Sequence, residues 1–208
     1  MPSRTEGFIW AGDYGMEKFL GTGGPLSKAV EALVGDGPTV LYKEKLNYKL
    51  AGGGGYTAHQ DGYTGLGVSK EPYVFMTQVC MIALDDFTME NGCPEVAPAT
   101  WQKKEGWLRP LPDEDTLGPW IPVMLKKGDV LIYDNYMLHR SGTNATDTNR
   151  RALFGIYNAA ADGDWHDAYY QNEAKGRRAN GTKGIGGKAN NFFTGTGIVQ
   201  HEEASAKL

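Results

Sequence analysis

Cysteine is scarce in this chain: Cys80 and Cys93 are the only two in 208 residues. That excludes a disulfide-built scaffold, which needs several bridges. Cys80 lies in the apolar run "VCMIAL" and reads as a buried thiol. Charge of one sign is missing too. With 21 basic and 25 acidic residues, net charge -4, the balance argues against nucleic acid or an anionic membrane surface as a default partner. No apolar run approaches the roughly 20 residues that span a bilayer. The opening "MPSRTEGFIWAGDYG" lacks the apolar segment of a secretory leader. The expectation is a cytoplasmic protein without membrane or nucleic-acid partners, in which the sequons at Asn144 and Asn180 carry no weight. Oligomeric state is not legible.

Glycine, by contrast, is abundant, with 29 residues. Glycine breaks helices and permits tight turns, so a β-rich chain with short connections is expected. The pattern agrees. Residues 1–24 show little periodicity. "GGPLSKAVEALVGDG" predicts one short helix, with Pro25 in its first turn, an apolar stripe of Leu26, Val30, Leu33 and Val34, and a glycine stop. "TVLYKEKLNYKLA" predicts a strand with Lys43, Lys45, Asn47 and Lys49 on one face. "PYVFMTQVCMIALDD" and "RRALFGIYNAA" predict strands, and "IPVMLKKGDVLIYDNYMLHRSG" predicts two around a Lys-Gly-Asp turn. "DGDWHDAYYQNEAK" predicts a last short helix, and 176–197 a loop. Such spacing suits an antiparallel sandwich or jelly roll. One domain over 1–208 is expected, with a short helical N-terminal segment (1–40), a jelly-roll core (41–158) and a C-terminal extension (159–208).

Chemistry concentrates around few residues. There are four histidines: His59, His139, His166 and His201. In "YTAHQDG", His59 and Asp61 stand two apart, which on a strand puts them on one face. His139 is read as the end of the strand "VLIYDNYMLH", whereas His166 and His201 lie in polar surroundings and read as surface residues. Two imidazoles and one carboxylate with open positions form the facial triad of non-haem Fe(II) oxygenases. Zinc more often takes a closed site or three nitrogen or sulfur ligands. Eleven residues after His139, Arg150 opens a strand, where a guanidinium can fork onto a carboxylate. That is what a 2-oxoglutarate site requires at its far end. Arg151 points to the opposite face.

The stretches "NYKLAGGGGYTAHQD", "ALDDFTMENGCPEVAP" and "GDVLIYDNYMLHRSGTNATDTNRRALFGIYN" together resemble the phytanoyl-CoA dioxygenase (PhyH) family. The resemblance covers roughly 41–158. It implies a mainly β double-stranded β-helix, cupin-like, with a few short flanking helices, and an oxygenase that uses Fe(II), 2-oxoglutarate and dioxygen. By that resemblance His59, Asp61 and His139 match the iron ligands and Arg150 the grip on the far carboxylate. Asn47 and Ser141 match positions that help bind the cosubstrate, and Tyr56 walls it. Halogenating relatives have a small residue in place of Asp61, so oxygenation is implied. The segment before 41 is short for the family, which implies a reduced lid. The family likeness is nearest to members that hydroxylate 2-aminoethylphosphonate, a small-molecule substrate, with release of succinate and carbon dioxide. Fatty acyl-CoA and secondary metabolites stay open.

Each residue also has a plainer reading. The triad could be a hydrogen-bonded core pair plus a strand-end histidine, and Arg150 a surface ion pair. Lys43 and Lys45 could lie on a solvated face or contact an anionic substrate, and Thr77 could line the pocket or simply fill the strand. The 102–120 segment could be a variable surface loop or a lid. A non-catalytic cupin-like binder of metal or a small acid, and a zinc hydrolase on the same ligands, remain alternatives.

Overall fold

The computed structural model describes residues 4–9, 12–35, 37–61, 77–97, 117–171, 191–193 and 198–199. Strand β2 (Thr39–Lys49) is its spine. Its alternating apolar and lysine-rich faces commit it to lie between two layers. It pairs antiparallel with β9 (Arg150–Ala159) over nearly its whole length, with a bulge between Leu41 and Lys43. The bulge turns Leu41 to the outer layer and Tyr42 to the inner one, so both are buried. β9 pairs with β4 (Thr77–Ala83), and β4 with β7 (Val130–Asp134). On the other side β2 pairs with β1 (Arg4–Glu6). β1 runs parallel to β10 (Asn191–Phe193), which pairs with β11 (Ile198–Val199).

A second sheet carries β3 (Tyr56–His59), β8 (His139–Ser141), β5 (Pro94–Val96) and β6 (Ile121–Pro122), in that order. The two sheets form the expected jelly roll. Their core includes Tyr42, Val79, Met81, Tyr133, Phe154 and Ile156. Helices α1 (Tyr14–Leu20) and α2 (Pro25–Val34) cover the outer face of the large sheet, where Leu20, Leu26 and Val30 meet Leu41, Ile82, Leu153 and Tyr157. Asp13 Oδ1 caps α1 by accepting from the Gly15 and Met16 amides. α2 starts at Pro25 and stops at Gly35 in the left-handed conformation. Leu33 of the expected stripe is exposed.

Several local expectations change. The segment 1–40 is not only helical, because β1 extends the large sheet. The chain from Val130 to His139 is not one strand. Asp134 Oδ1 accepts from the Tyr136 and Met137 amides and turns the chain, so His139 opens β8 in the other sheet. The helix expected near the C-terminus is present at 166–171. His166 within it is not a surface residue. It meets Glu44 Oε2 at 2.8 Å and packs edge-on against Tyr170. The region expected to be loop contains β10. Most of the 102–120 segment and residues 172–190 lie outside the described residues.

Asn144, part of a sequon, is fully buried and acts as a hub. Its Nδ2 donates to the carbonyls of Lys49, Leu50 and Thr148, and its Oδ1 accepts from Thr146. This ties the end of β2 to the turn after β8. Asn144→Ala would remove these bonds, although the Leu50 carbonyl keeps the Gly53 amide and the Thr148 carbonyl the Thr146 hydroxyl, and each lost bond is worth about 1 kcal/mol. The expected result is a fall in the urea midpoint worth about 2–3 kcal/mol with an unchanged m-value.

Candidate active site

His59 ends β3, Asp61 follows two residues later, and His139 opens β8 directly across from His59. Between the first two, Gln60 turns away and donates to the Tyr136 carbonyl at 2.7 Å, which leaves His59 and Asp61 on the same side. Asp61 Oδ1 lies 3.8 Å from His59 Nε2, and Asp61 Oδ2 lies 3.7 Å from His139 Nε2. One ligand atom from each of the three residues lies within 4.8 Å of the others.

The surroundings fix which atoms face inward. His59 Nδ1 is 2.7 Å from the Thr57 carbonyl and His139 Nδ1 is 2.9 Å from the Met137 carbonyl. A carbonyl only accepts, so both Nδ1 atoms carry the proton and both Nε2 lone pairs are free. Tyr133 donates to Asp61 Oδ2 at 3.3 Å. Burial holds His139 down to about 4, against the pull of Asp61, so its imidazole is neutral at pH 7. Burial opposes the Asp61 charge, but Lys45, His139, His59 and Lys43 more than offset it and keep the carboxyl well below its usual range. Two imidazoles with inward Nε2 atoms and one carboxylate suit a divalent metal with positions left open. At bond lengths of about 2.1 Å, one ion reaches all three donors after small side-chain adjustments.

Two residues along β8 from His139, Ser141 lies among cations. Inward-facing Arg150 on β9 lies directly across from Lys49 on β2. Arg150 Nε donates to the Asn91 carbonyl at 3.2 Å and Nη2 to the Gly92 carbonyl at 3.1 Å, with the guanidinium over the Phe87 ring. Lys49 Nζ donates to Gly92 O at 3.2 Å, to Ser141 Oγ at 2.9 Å and to Gly142 O. The turn "ENG" thus supplies the carbonyls that orient both cations. Asn91 shapes it by bonding to Thr88 and to the Asp86 carbonyl. Gly92 has φ 67°, and a side chain there would collide with Lys49 and Gly142. Neither cation pairs with a carboxylate among the described residues. Burial, then the neighbouring Arg150, lowers Lys49 to about 8. Burial lowers Arg150 to about 10.

The structure therefore brings together His59, Asp61 and His139 at one end and Arg150 with Ser141 at the other. Tyr56 is across from Ser141, with Lys49 Nζ 5.9 Å from its ring centre. Lys43 and Lys45 face the same interior. Lys43 lies over Tyr169 and Lys45 over Phe154. Asn47 faces inward across from Ala152. Thr77 is buried at the far end of β4, and its carbonyl accepts from the Asn135 amide. No contact among the described residues brings it to the triad. Arg151 points outward and pairs with Asp85, as expected. Lys49 was missed. Its signal was its place as the last inward position of β2, directly before the glycine run.

Residues 25–152 match the family model described as phytanoyl-CoA dioxygenase (PhyH). The chain belongs to the PhyH family. Among curated proteins it is 39% identical over 182 residues to a methylphosphonate hydroxylase of Gimesia maris, covering 84% of this chain and 65% of that one. It is 31% identical over 178 residues to a 2-aminoethylphosphonate dioxygenase from an uncultured bacterium, covering 82% and 64%. It thus spans just under two thirds of the length of these PhyH relatives. Among solved structures, the α-ketoglutarate-dependent epimerase SnoN from nogalamycin biosynthesis shares the fold at TM-score 0.60 and 20% identity, covering 76% of this chain and 62% of that one. Iron-bound EctD from S. alaskensis does so at 0.58 and 23%, covering 74% and 56%. No helix among the described residues is long and apolar enough to cross a membrane.

Proposed function

We propose that this PhyH protein is an Fe(II)- and 2-oxoglutarate-dependent dioxygenase that hydroxylates a small anionic molecule, a phosphonate of the kind named in its relatives. The observation that carries it is the placement of a triad and a cationic clamp two residues apart on one strand: His139 and Ser141 both lie on β8. A 2-oxo diacid has two ends that suit these two places. Its 2-oxo acid end faces the triad, and its far carboxylate meets Arg150, Lys49 and the Ser141 hydroxyl.

His59, Asp61 and His139 would hold the metal. Iron(II) there supplies the redox chemistry that couples dioxygen to decarboxylation of the 2-oxo acid. The balance is one substrate, one 2-oxoglutarate and one dioxygen giving hydroxylated product, succinate and carbon dioxide. The chain does the rest. Tyr133 and the two backbone carbonyls orient the three ligands. Met81, Phe154 and Ile156 line the large sheet's inner face and exclude water. Arg150 and Lys49 fix the cosubstrate's direction.

The test is anaerobic addition of Fe(II), then 2-oxoglutarate, followed by admission of oxygen. The expected result is a weak visible charge-transfer band that needs both additions, then succinate formation stimulated by a phosphonate. A folded protein that gives no band and no succinate would count against the reading and favour a metal-binding role without turnover.

A further inference from the structure

Beside the triad, the inner face of the large sheet holds more hydrogen-bonding capacity than the described residues use. Arg4 on β1 is directly across from Asn47 on β2, and Glu6 is across from Lys45. Asn47 and Lys45 are in turn across from Ala152 and Phe154 of the inner core. These four polar side chains therefore form one patch on the cavity side. Arg4 Nε and Asn47 Oδ1 are buried and, among the described residues, have no hydrogen-bond partner. The Lys45 ammonium is 4.4 Å from the Phe154 ring centre and, among the described residues, makes no hydrogen bond or ion pair. Its charge helps hold the Asp61 carboxyl ionised.

Buried polar groups are nearly always paired, and an unpaired one costs about 1–3 kcal/mol. Two orphaned atoms and an unpaired ammonium on adjacent positions need a common explanation. Glu6 takes the Nη2 end of Arg4, which holds the guanidinium in place and leaves its Nε–H free. The patch therefore offers donors from Lys45 and Arg4 and one acceptor from Asn47. A carboxylate at neutral pH satisfies only the donors. A phosphonate that keeps one proton satisfies all three, with two oxygens accepting and its hydroxyl donating to Asn47.

We propose that Arg4, Lys45 and Asn47 form the phosphonate subsite of the substrate, with Glu6 positioning Arg4. This rests on the oxygenase reading above and assigns Asn47 to the substrate rather than to the cosubstrate. It also separates the two lysines of β2. Lys43 lies one inward position farther along, over Tyr169, while Lys45 carries the contact.

The experiment is calorimetric titration of methylphosphonate and of 2-aminoethylphosphonate into the full chain loaded with Mn(II) and 2-oxoglutarate, so that no turnover occurs. Variants are Lys45→Met, Arg4→Met, Arg4→Lys and, as a control on the outer face, Arg151→Met. 2-Oxoglutarate binding is measured separately on each. Truncating a buried charged partner should weaken phosphonate binding at least about 30-fold for Lys45→Met and about 10-fold for Arg4→Met. Arg4→Lys, which keeps the charge on a shorter side chain without the Nε–H, should recover part of the Arg4 loss. 2-Oxoglutarate binding should stay within about 2-fold in all of them. Unchanged phosphonate binding in Lys45→Met and Arg4→Met overturns the subsite, as does an equal loss of 2-oxoglutarate binding. So does a parent that binds 2-oxoglutarate but neither phosphonate. A parent that fails to bind 2-oxoglutarate with metal present is a distinct result and overturns the oxygenase reading itself.

Discussion

His139→Ala should abolish succinate formation and weaken metal binding by at least about 100-fold. Even removing a group that only orients a ligand typically costs 10–100-fold, and His139 is itself a ligand candidate with its Nε2 directed at Asp61. The remaining His59 and Asp61 leave two donors, too few to hold an ion against water. Tyr133→Phe removes only the 3.3 Å bond to Asp61 and should cost about tenfold in metal affinity. Mn(II) titration followed by electron paramagnetic resonance measures both effects. Circular dichroism checks that each variant is folded. If His139→Ala keeps parental metal affinity, the metal lies elsewhere and the triad is a hydrogen-bonded core cluster.

The second large effect belongs to the clamp. Arg150→Met should raise the KM for 2-oxoglutarate about 100-fold, and Lys49→Met about 10-fold, because each removes a positive charge from beside the carboxylate. The two differ because the three described acceptors of Lys49 Nζ already use its three N–H groups. Lys49 therefore acts mainly by its charge and by accepting no proton from Ser141, whose own O–H is left to donate. Neither variant should alter the weak binding of 2-oxobutyrate, which has no far carboxylate. Lys49 also sets a pH limit. Its ammonium is present below about 8 and lost above it, so 2-oxoglutarate affinity should hold up to about pH 8 and then fall. The fall is at most about tenfold per pH unit. Lys49→Arg, charged throughout, should flatten that decline. Equal effects on 2-oxoglutarate and 2-oxobutyrate would mean that the clamp is structural.

The clustering of His59, Asp61 and His139 and the inward face of Arg150 were legible because such residues are rare in the chain and suitably ordered. Four histidines leave few combinations, and the alternation in "HQD" and "NRR" decides which neighbours share a face. The jelly roll was legible from strand spacing. Lys49 was not, because a lysine closing a lysine-rich strand reads as solvated. Its burial depends on a turn at Asn91 and Gly92, distant in sequence. β1 was hidden for a related reason. Its three residues are Arg, Thr and Glu, with no apolar pattern, and pairing with β2 and β10 is what makes them a strand. His166 was misread because helix polarity was judged along the chain. Tyr169 and Tyr170, three and four residues on, share its helical face and draw it against Glu44.

Strand β8 is only three residues long, yet it carries a ligand candidate at one end and a clamp residue at the other. Alternate residues on a strand are about 6.6 Å apart, and Arg140 between them is tied outward to Glu95 and stacked over Trp120. That fixed spacing makes β8 a ruler. On the proposed oxygenase reading, the five-carbon 2-oxo diacid should support succinate formation, and the four- and six-carbon homologues should bind at least about tenfold more weakly in the same titration. Selection of the cosubstrate by length would then come from the backbone repeat.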